Sequence, residues 1–320
     1  MTTHLEILRA GIHTTIQDRG RPGYRALGVP ASGALDAETL ELVNALLGNP
    51  GNTGALELLY GGIAVRARNG ALRFALGCAT GRIERPDGSQ HDVPAWHTAV
   101  LGDDETLTID APGRTAAAYL AVAGGFAIAP VLGSMSTYVA GSLGGWQGRP
   151  LQRGDRLPLA ATNVARAGER MLTREHVPAA PSQLRVIAGP QHTRFRGDAL
   201  DALIATPYRV TPSSNRTGLR LDGALLQHDE GHDLLSEGVA TGSLQVPGTG
   251  LPVLLLADHP TVGGYPKIAT VISADLAAAG RLRIGSDVRF TLVDAAAARA
   301  ARIEADAARD ARLAAIRNPG

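Results

Sequence analysis

SEGVATGSLQVPGTGLPVLLLADHPTVGGYPK, running from Ser236 to Lys267, gains its meaning when set beside an earlier part of the chain. Glu237 is followed by Gly242 and Gly250, five and thirteen residues on, and Glu57 is followed by Gly62 and Gly70 at the same offsets. The strand after each second glycine keeps the same phase, Leu254 and Leu256 against Phe74 and Leu76. Upstream, RTGLR at Arg216 to Arg220 echoes RPGYR at Arg21 to Arg25. Echoes repeated in one order predict a duplicated β-domain. The wider interval from arginine to glutamate in the first half is filled by a helix that starts at Asp36.

Working outward, the runs IAVRA, LRFAL, TAVLG, TLTID and AAYLAVAGG alternate like short strands, with ARNGAL and RPDGS as turns between some of them. They predict an antiparallel β barrel or sandwich. HLEILRA at the start reads as an edge or half-buried strand. Asp36 caps a predicted helix that places Leu40, Val43 and Leu47 on one face and stops at Gly48. Glu175 to Gln183 reads as a linker, and LRVIAG restarts the β pattern. The segment from Asp294 to Arg317 is alanine-rich and favours a surface or partner-docking helix. The expected organisation is mainly β, with an N-terminal β domain over 1–178, a C-terminal one over 182–293 and a helical tail over 294–320.

The composition agrees with this reading. A chain of 320 residues with 44% hydrophobic content can bury two cores, and 39 glycines with 19 prolines suit many turns. A net charge of +1 gives no electrostatic case for nucleic acid or a membrane surface. Cys78 is the single cysteine, so no disulfide or thiolate metal cluster forms within one chain. The first residues lack a secretory pattern and no long apolar run follows, which leaves a cytoplasmic protein as the expectation.

Chemistry concentrates in the opening stretch. Lys267 is the only lysine among 31 basic residues, and lysine is a compact donor where arginine is a forked one. Glu237 and Asp258 can supply carboxylate chemistry, Gln245 an amide that fixes a polar small molecule, and Tyr265 with Lys267 a donor pair for an oxyanion or phosphate. Gly263 and Gly264 form the turn before them. The plain alternative is that Glu237 and Asp258 satisfy turn amides.

A second candidate is the loop QDRGRPGY, with Asp18 as acid or base, Arg19 and Arg21 as anion clamps and Tyr24 at its end. Its plain alternative is a turn held by an Asp–Arg pair. Arg216 occupies the matching loop of the second half, and Glu57 matches Glu237. Gly133 to Arg149 offers Ser134, Ser136, Thr137 and Arg149 as an anion cradle or else a plain glycine-rich loop, and it lacks the phosphate-loop pattern. His228 and His232 have metal-ligand spacing, yet Gly231 between them favours a solvated loop, so no metal site is predicted. Cys78 reads as a buried structural thiol. No nucleophile-elbow motif occurs.

TTIQDRGRPGYRALGVPASGALD, LGNPGNTGALELLYGG, LGSMSTYVAGSLGGWQGRPLQRGD, the IAGPQ run and the Ser236–Lys267 stretch with the IATVISADL after it resemble the biotin-dependent carboxyltransferase-like family. That family includes the KipA-type C subunit of 5-oxoprolinase, the second subunit of allophanate hydrolase and the matching domain of urea carboxylase. The resemblance runs from residue 5 to about residue 293 and implies two cyclophilin-like β-barrel domains. It also implies a component that works with a KipI-type B subunit and an A subunit to open 5-oxoproline to L-glutamate. ATP, with Mg as its counter-ion, would be spent, and this chain would carry no covalent biotin. Arg19, Arg21, Arg216 and Lys267 are the cations the resemblance offers for the phosphate. One alternative is a carboxyltransferase component acting on urea or a related amide with a separate biotin carrier. Another is a non-catalytic KipA-like protein that antagonises a KipI-type kinase inhibitor. Met135, Thr217, Leu219 and His259-Pro260 depart from the family pattern, in loops expected to contact the ligand. The first half lacks counterparts of Asp258, Tyr265 and Lys267, so the C-terminal domain is expected to carry more of the chemistry, with the Asp18–Tyr24 loop reaching toward it.

Overall fold

The computed structural model describes residues 2–160 and 168–316. They fall into two units, one of Met1–Arg21, Ser32–Pro178 and Arg309–Gly320, the other of Pro22–Ala31 and Ala179–Ala308.

The first unit is built of two antiparallel sheets. One has six strands in the order Arg156–Pro158, His4–Arg9, Ile63–Arg68, Thr106–Ile109, Gly81–Glu84 and Gln90–Val93. The other has five, His13–Gln17, Ala55–Leu59, Ala117–Val122, Leu72–Gly77 and Thr98–Leu101. Ile63–Arg68 alternates buried and half-buried positions, so Ile63, Val65 and Ala67 face the core. Leu72–Gly77 and Ala117–Val122 are buried at every position, because the helix Ala37–Leu47 covers their other face.

That helix begins and ends for local reasons. The Asp36 carboxylate accepts from Thr39 N at 3.1 Å, and Gly48 takes φ 73° as the cap. Leu40, Leu42, Val43 and Leu46 are its buried aliphatics, each worth roughly 1.5–3 kcal/mol. Leu47, expected in that face, is only half-buried. A Cβ on Gly77 would lie 2.7 Å from Val43 Cγ1, so the helix packs where the sheet carries no side chain.

The second unit holds a closed barrel in the order Gln183–Ala188, Lys267–Val271, Ser243–Gln245, Val253–Leu255, Gly218–Asp222, Tyr208–Val210 and Asp287–Leu292. All neighbours are antiparallel except the closing pair, Gln183–Ala188 beside Asp287–Leu292. Glu237–Gly238 and Val262–Gly263 form a separate two-stranded sheet.

The mainly-β expectation holds, and the barrel and sandwich alternatives are divided between the units. The two stretches that echo each other in sequence pair differently. After Glu57, Ile63–Arg68 and Leu72–Gly77 enter different sheets, whereas after Glu237, Ser243–Gln245 and Val253–Leu255 pair with one another. The echo is therefore one of glycine and strand spacing, since pairing depends on partners far along the chain. Cys78 is half-buried against the core of the first unit and not fully enclosed. The tail forms the helix Ala295–Ala314, with Ala301 its buried residue; residues 317–320 lie outside those described. Among the described residues no helix is long and apolar enough to cross a membrane.

Candidate functional site

In the first unit the predicted site residues serve the fold. The Asp18 carboxylate accepts from Gly20 N at 2.7 Å, Ser134 Oγ at 2.6 Å, Met135 N at 2.7 Å and Ser136 Oγ at 2.5 Å. With its lone pairs so engaged, Asp18 fastens the 134–136 loop. Arg21 is buried and donates to the Ser136 and Val131 carbonyls. Arg19 pairs with Glu41 at 2.6 Å near the surface. Thr137 Oγ1 donates to Ile16 O, and Arg149 grips Asp155 through two 2.8 Å bonds, so the proposed anion cradle is filled by the chain itself.

Glu57 is likewise structural. It accepts from Leu35 N at 2.8 Å and Tyr119 OH at 2.6 Å, while that phenol accepts from Asp36 N at 2.9 Å. Burial, reinforced by the charge of Glu57, pushes the Tyr119 phenol well above its usual range and keeps it a donor. The network fixes the start of the helix Ala37–Leu47.

The second unit brings the other candidates together. Ser243–Gln245 lies beside Lys267–Val271 with Leu244 opposite Ala269 but Gln245 opposite Lys267. Ile268 is thus an extra residue, and the bulge places Lys267 as the cross-strand neighbour of Gln245. The Lys267 side chain is only 4% exposed, and Nζ donates to Glu237 Oε1, a carboxylate on a 46% exposed side chain. Gln191 completes the cluster: its Nε2 donates to Glu237 Oε1 at 2.6 Å and its Oε1 accepts from Lys267 N at 3.2 Å. The Lys267 hydrogen bond, helped by Gln191, holds the Glu237 carboxyl below its ordinary range.

Gln191 was not singled out in sequence. Its signal is the IAGPQ run, because a Cβ on Gly189 would clash with the Lys267 carbonyl oxygen. Only glycine lets the turn approach closely enough to set Gln191 against the lysine.

The turn around Gly263 forms another wall. Gly263 pairs in register with Glu237, and a Cβ there would meet Gln245 Nε2 at 2.5 Å. Gln245 is 8% exposed, and its Nε2 has no hydrogen-bond partner among the described residues. The Gly264 carbonyl accepts from Leu234 N at 2.8 Å, and Tyr265 stands 42% exposed beside it. A buried cation, a carboxylate at the surface, an idle amide and a phenol can bind a small polar ligand and stabilise developing negative charge.

Asp258 follows the strand Val253–Leu255 but does not join this cluster. It forms a buried two-pronged pair with Arg216, at 2.8 and 3.0 Å, which occupies both residues. His259 is also enclosed. Its Nδ1 faces Pro260 O at 2.7 Å, and its Nε2 faces Arg25 Nη1 at 3.1 Å and Thr241 Oγ1 at 3.0 Å. Burial pulls its pKa below the imidazole value, so a neutral ring donates from Nδ1 and accepts at Nε2. Arg25 also donates to Val239 O, which ties Pro22–Ala31, and with it the half-buried Tyr24, into this unit.

His228 stacks on Phe195 at 4.6 Å, and its ring centroid is 6.1 Å from that of His232. Among the described residues no group of three or more His, Cys, Asp or Glu side chains is placed to hold a metal.

The chain finds its match in a known family. Residues 27–292 match the model of the carboxyltransferase domain, subdomains A and B, and the chain belongs to that family. It is 35% identical over 289 residues to the C subunit of 5-oxoprolinase from Escherichia coli K12, covering 89% of this chain and 90% of that protein. It is 30% identical over 311 residues to urea amidolyase of Saccharomyces cerevisiae, covering 90% of this chain but 16% of that protein. The crystal structure of K. lactis urea amidolyase shares the fold, with a TM-score of 0.85 at 24% identity over 97% of this chain and 20% of that one.

Proposed function

We propose that this chain belongs to an ATP-dependent 5-oxoprolinase complex, which converts 5-oxo-L-proline, ATP and water into L-glutamate, ADP and phosphate. The reading is supported by likeness to 5-oxoprolinase C subunits along nearly their whole length. The observation that carries it is the lone lysine, buried beside Gln245, Gln191 and the glycine wall at Gly263. A lactam is a poor electrophile. Transfer of a phosphoryl group to its oxygen makes the ring carbon attackable by water; the C–N bond then breaks to leave an acyl phosphate on the opened chain, and a second water releases phosphate and the carboxylate of glutamate. In this reading Lys267 and Tyr265 offset negative charge on the oxygen as water adds.

The hydroxyls and arginines of the first unit that could have met a phosphate are engaged within the fold. This chain is therefore assigned the lactam and none of its residues is assigned to the nucleotide. ATP with its Mg counter-ion is the energy source of an assembly with the A and B subunits, and biotin is not attached here. The test is to combine this chain with its cognate A and B subunits and measure glutamate and ADP from 5-oxoproline. Turnover that needs all three supports the reading; equal turnover without this chain overturns it.

A second reading, a carboxyltransferase component acting on urea with a separate biotin carrier, draws on the urea amidolyase relative. Urea-dependent transfer from carboxybiotin, with no 5-oxoproline turnover, would select it.

A further inference from the structure

The Gln245 side chain is enclosed, yet its amide nitrogen bonds nothing among the described residues. An orphaned buried donor costs stability, and this one is not idle by accident of space. The barrel bulge sets Gln245 opposite Lys267, Gly263 leaves bare the point 2.5 Å from Nε2, and the register partner of Gly263 is Glu237, which holds Lys267. Gln245, Gly263, Glu237 and Lys267 are thus linked to one another through the barrel bulge and the two-stranded turn. Gly263 does not adopt a left-handed backbone conformation, so an alanine there meets no backbone penalty; its Cβ would meet the Gln245 amide at 2.5 Å and, less tightly, Val239 Cγ1 at 3.2 Å.

We infer that Gln245 is a specificity-determining residue that reads the planar amide edge of the ligand, and that Gly263 is glycine because a side chain there would collide with the Gln245 amide and displace it. A primary amide carries one donor and one acceptor side by side, and its matched partner is another cis amide. Gln245 Nε2–H donates to the ligand carbonyl oxygen, Gln245 Oε1 accepts the ligand N–H, and Lys267 adds positive charge at the same oxygen. A ring carboxylate without the amide leaves the donor orphaned and is rejected. This inference rests on the function proposed above.

The test is calorimetric titration of the full chain with 5-oxo-L-proline, 2-pyrrolidinone, urea and tetrahydrofuran-2-carboxylate, for wild type, Gln245→Leu and Gly263→Ala. Wild type is expected to bind the amide probes and not the ether acid. Gln245→Leu is expected to lose about tenfold in affinity, the worth of one hydrogen bond and its desolvated partner. Its melting temperature should hold or rise, since an unsatisfied buried group has been removed; a purely structural glutamine would lower it. Gly263→Ala should lose affinity similarly with the fold retained. Unchanged affinity in Gln245→Leu, equal binding of the ether acid, or no binding of any amide probe overturns the inference. Binding of urea and pyrrolidinone but not 5-oxoproline, lost in Gln245→Leu, sustains it while overturning the oxoprolinase reading.

Discussion

Lys267 and Arg216 show how burial divides charged residues into those held for the fold and those left open to chemistry. Arg216 and Asp258, 4% and 8% exposed, satisfy each other through two hydrogen bonds. Arg216→Met leaves a buried carboxylate unpaired and should cost about 3–5 kcal/mol in urea denaturation, with the Asp258→Leu double variant recovering much of it. A loss below about one kcal/mol would return the pair to a surface-like role. Lys267 pairs instead with Glu237, whose side chain is half-exposed, so only one partner of that pair is buried. His259 gives the chain a pH dependence. Its folded pKa lies below 6.5, so the unfolded chain takes up the proton first, and the stability is present above 6.5 and lost as pH falls toward the lower folded value. Protonation also turns the Nε2 acceptor into a donor facing Arg25. Melting temperature should drop on acidification below 6.5, with a shallower drop in His259→Gln; parallel profiles would contradict this.

At the level of elements, the sequence showed what local chemistry decides. Asp36 and Gly48 bound the first helix as read, and Asp36→Ala should cost about 1 kcal/mol, up to 2, in thermal unfolding because Thr39 N loses its acceptor. No loss would mean that the Tyr119 network alone fixes the helix start. The strands from Ala55 onward and the restart at LRVIAG were legible from alternation. The bulge that sets Lys267 against Gln245 was not, because an extra residue in a ladder depends on a partner strand more than twenty residues away. Gln191 was hidden for a similar reason: a lone glutamine after Gly-Pro acquires meaning only when Gly189 is seen touching the Lys267 carbonyl. Glu57 and Glu237 look alike in spacing, but one is enclosed by Tyr119 and the other is half-exposed to hold Lys267.

Across the whole molecule, a mainly-β chain was readable, and the chain divides into two units. The intramolecular bonds of Asp18, Arg21 and Glu57 were not readable, because glycine-rich loops dense in polar groups look the same whether they bind a ligand or one another. Burial separates the two, and burial is a property of the folded chain. The lysine-centred cluster of the barrel remains, within a chain of the carboxyltransferase domain family. The most direct measurement is 5-oxoproline turnover by the assembly carrying Lys267→Met. Methionine preserves the buried stem and removes the cation, so turnover should fall by about 10²–10³-fold, the worth of one donor at a developing oxyanion. Melting temperature and association with the other components of the assembly should be unchanged. A wild-type rate in that variant would contradict a catalytic site built around Lys267.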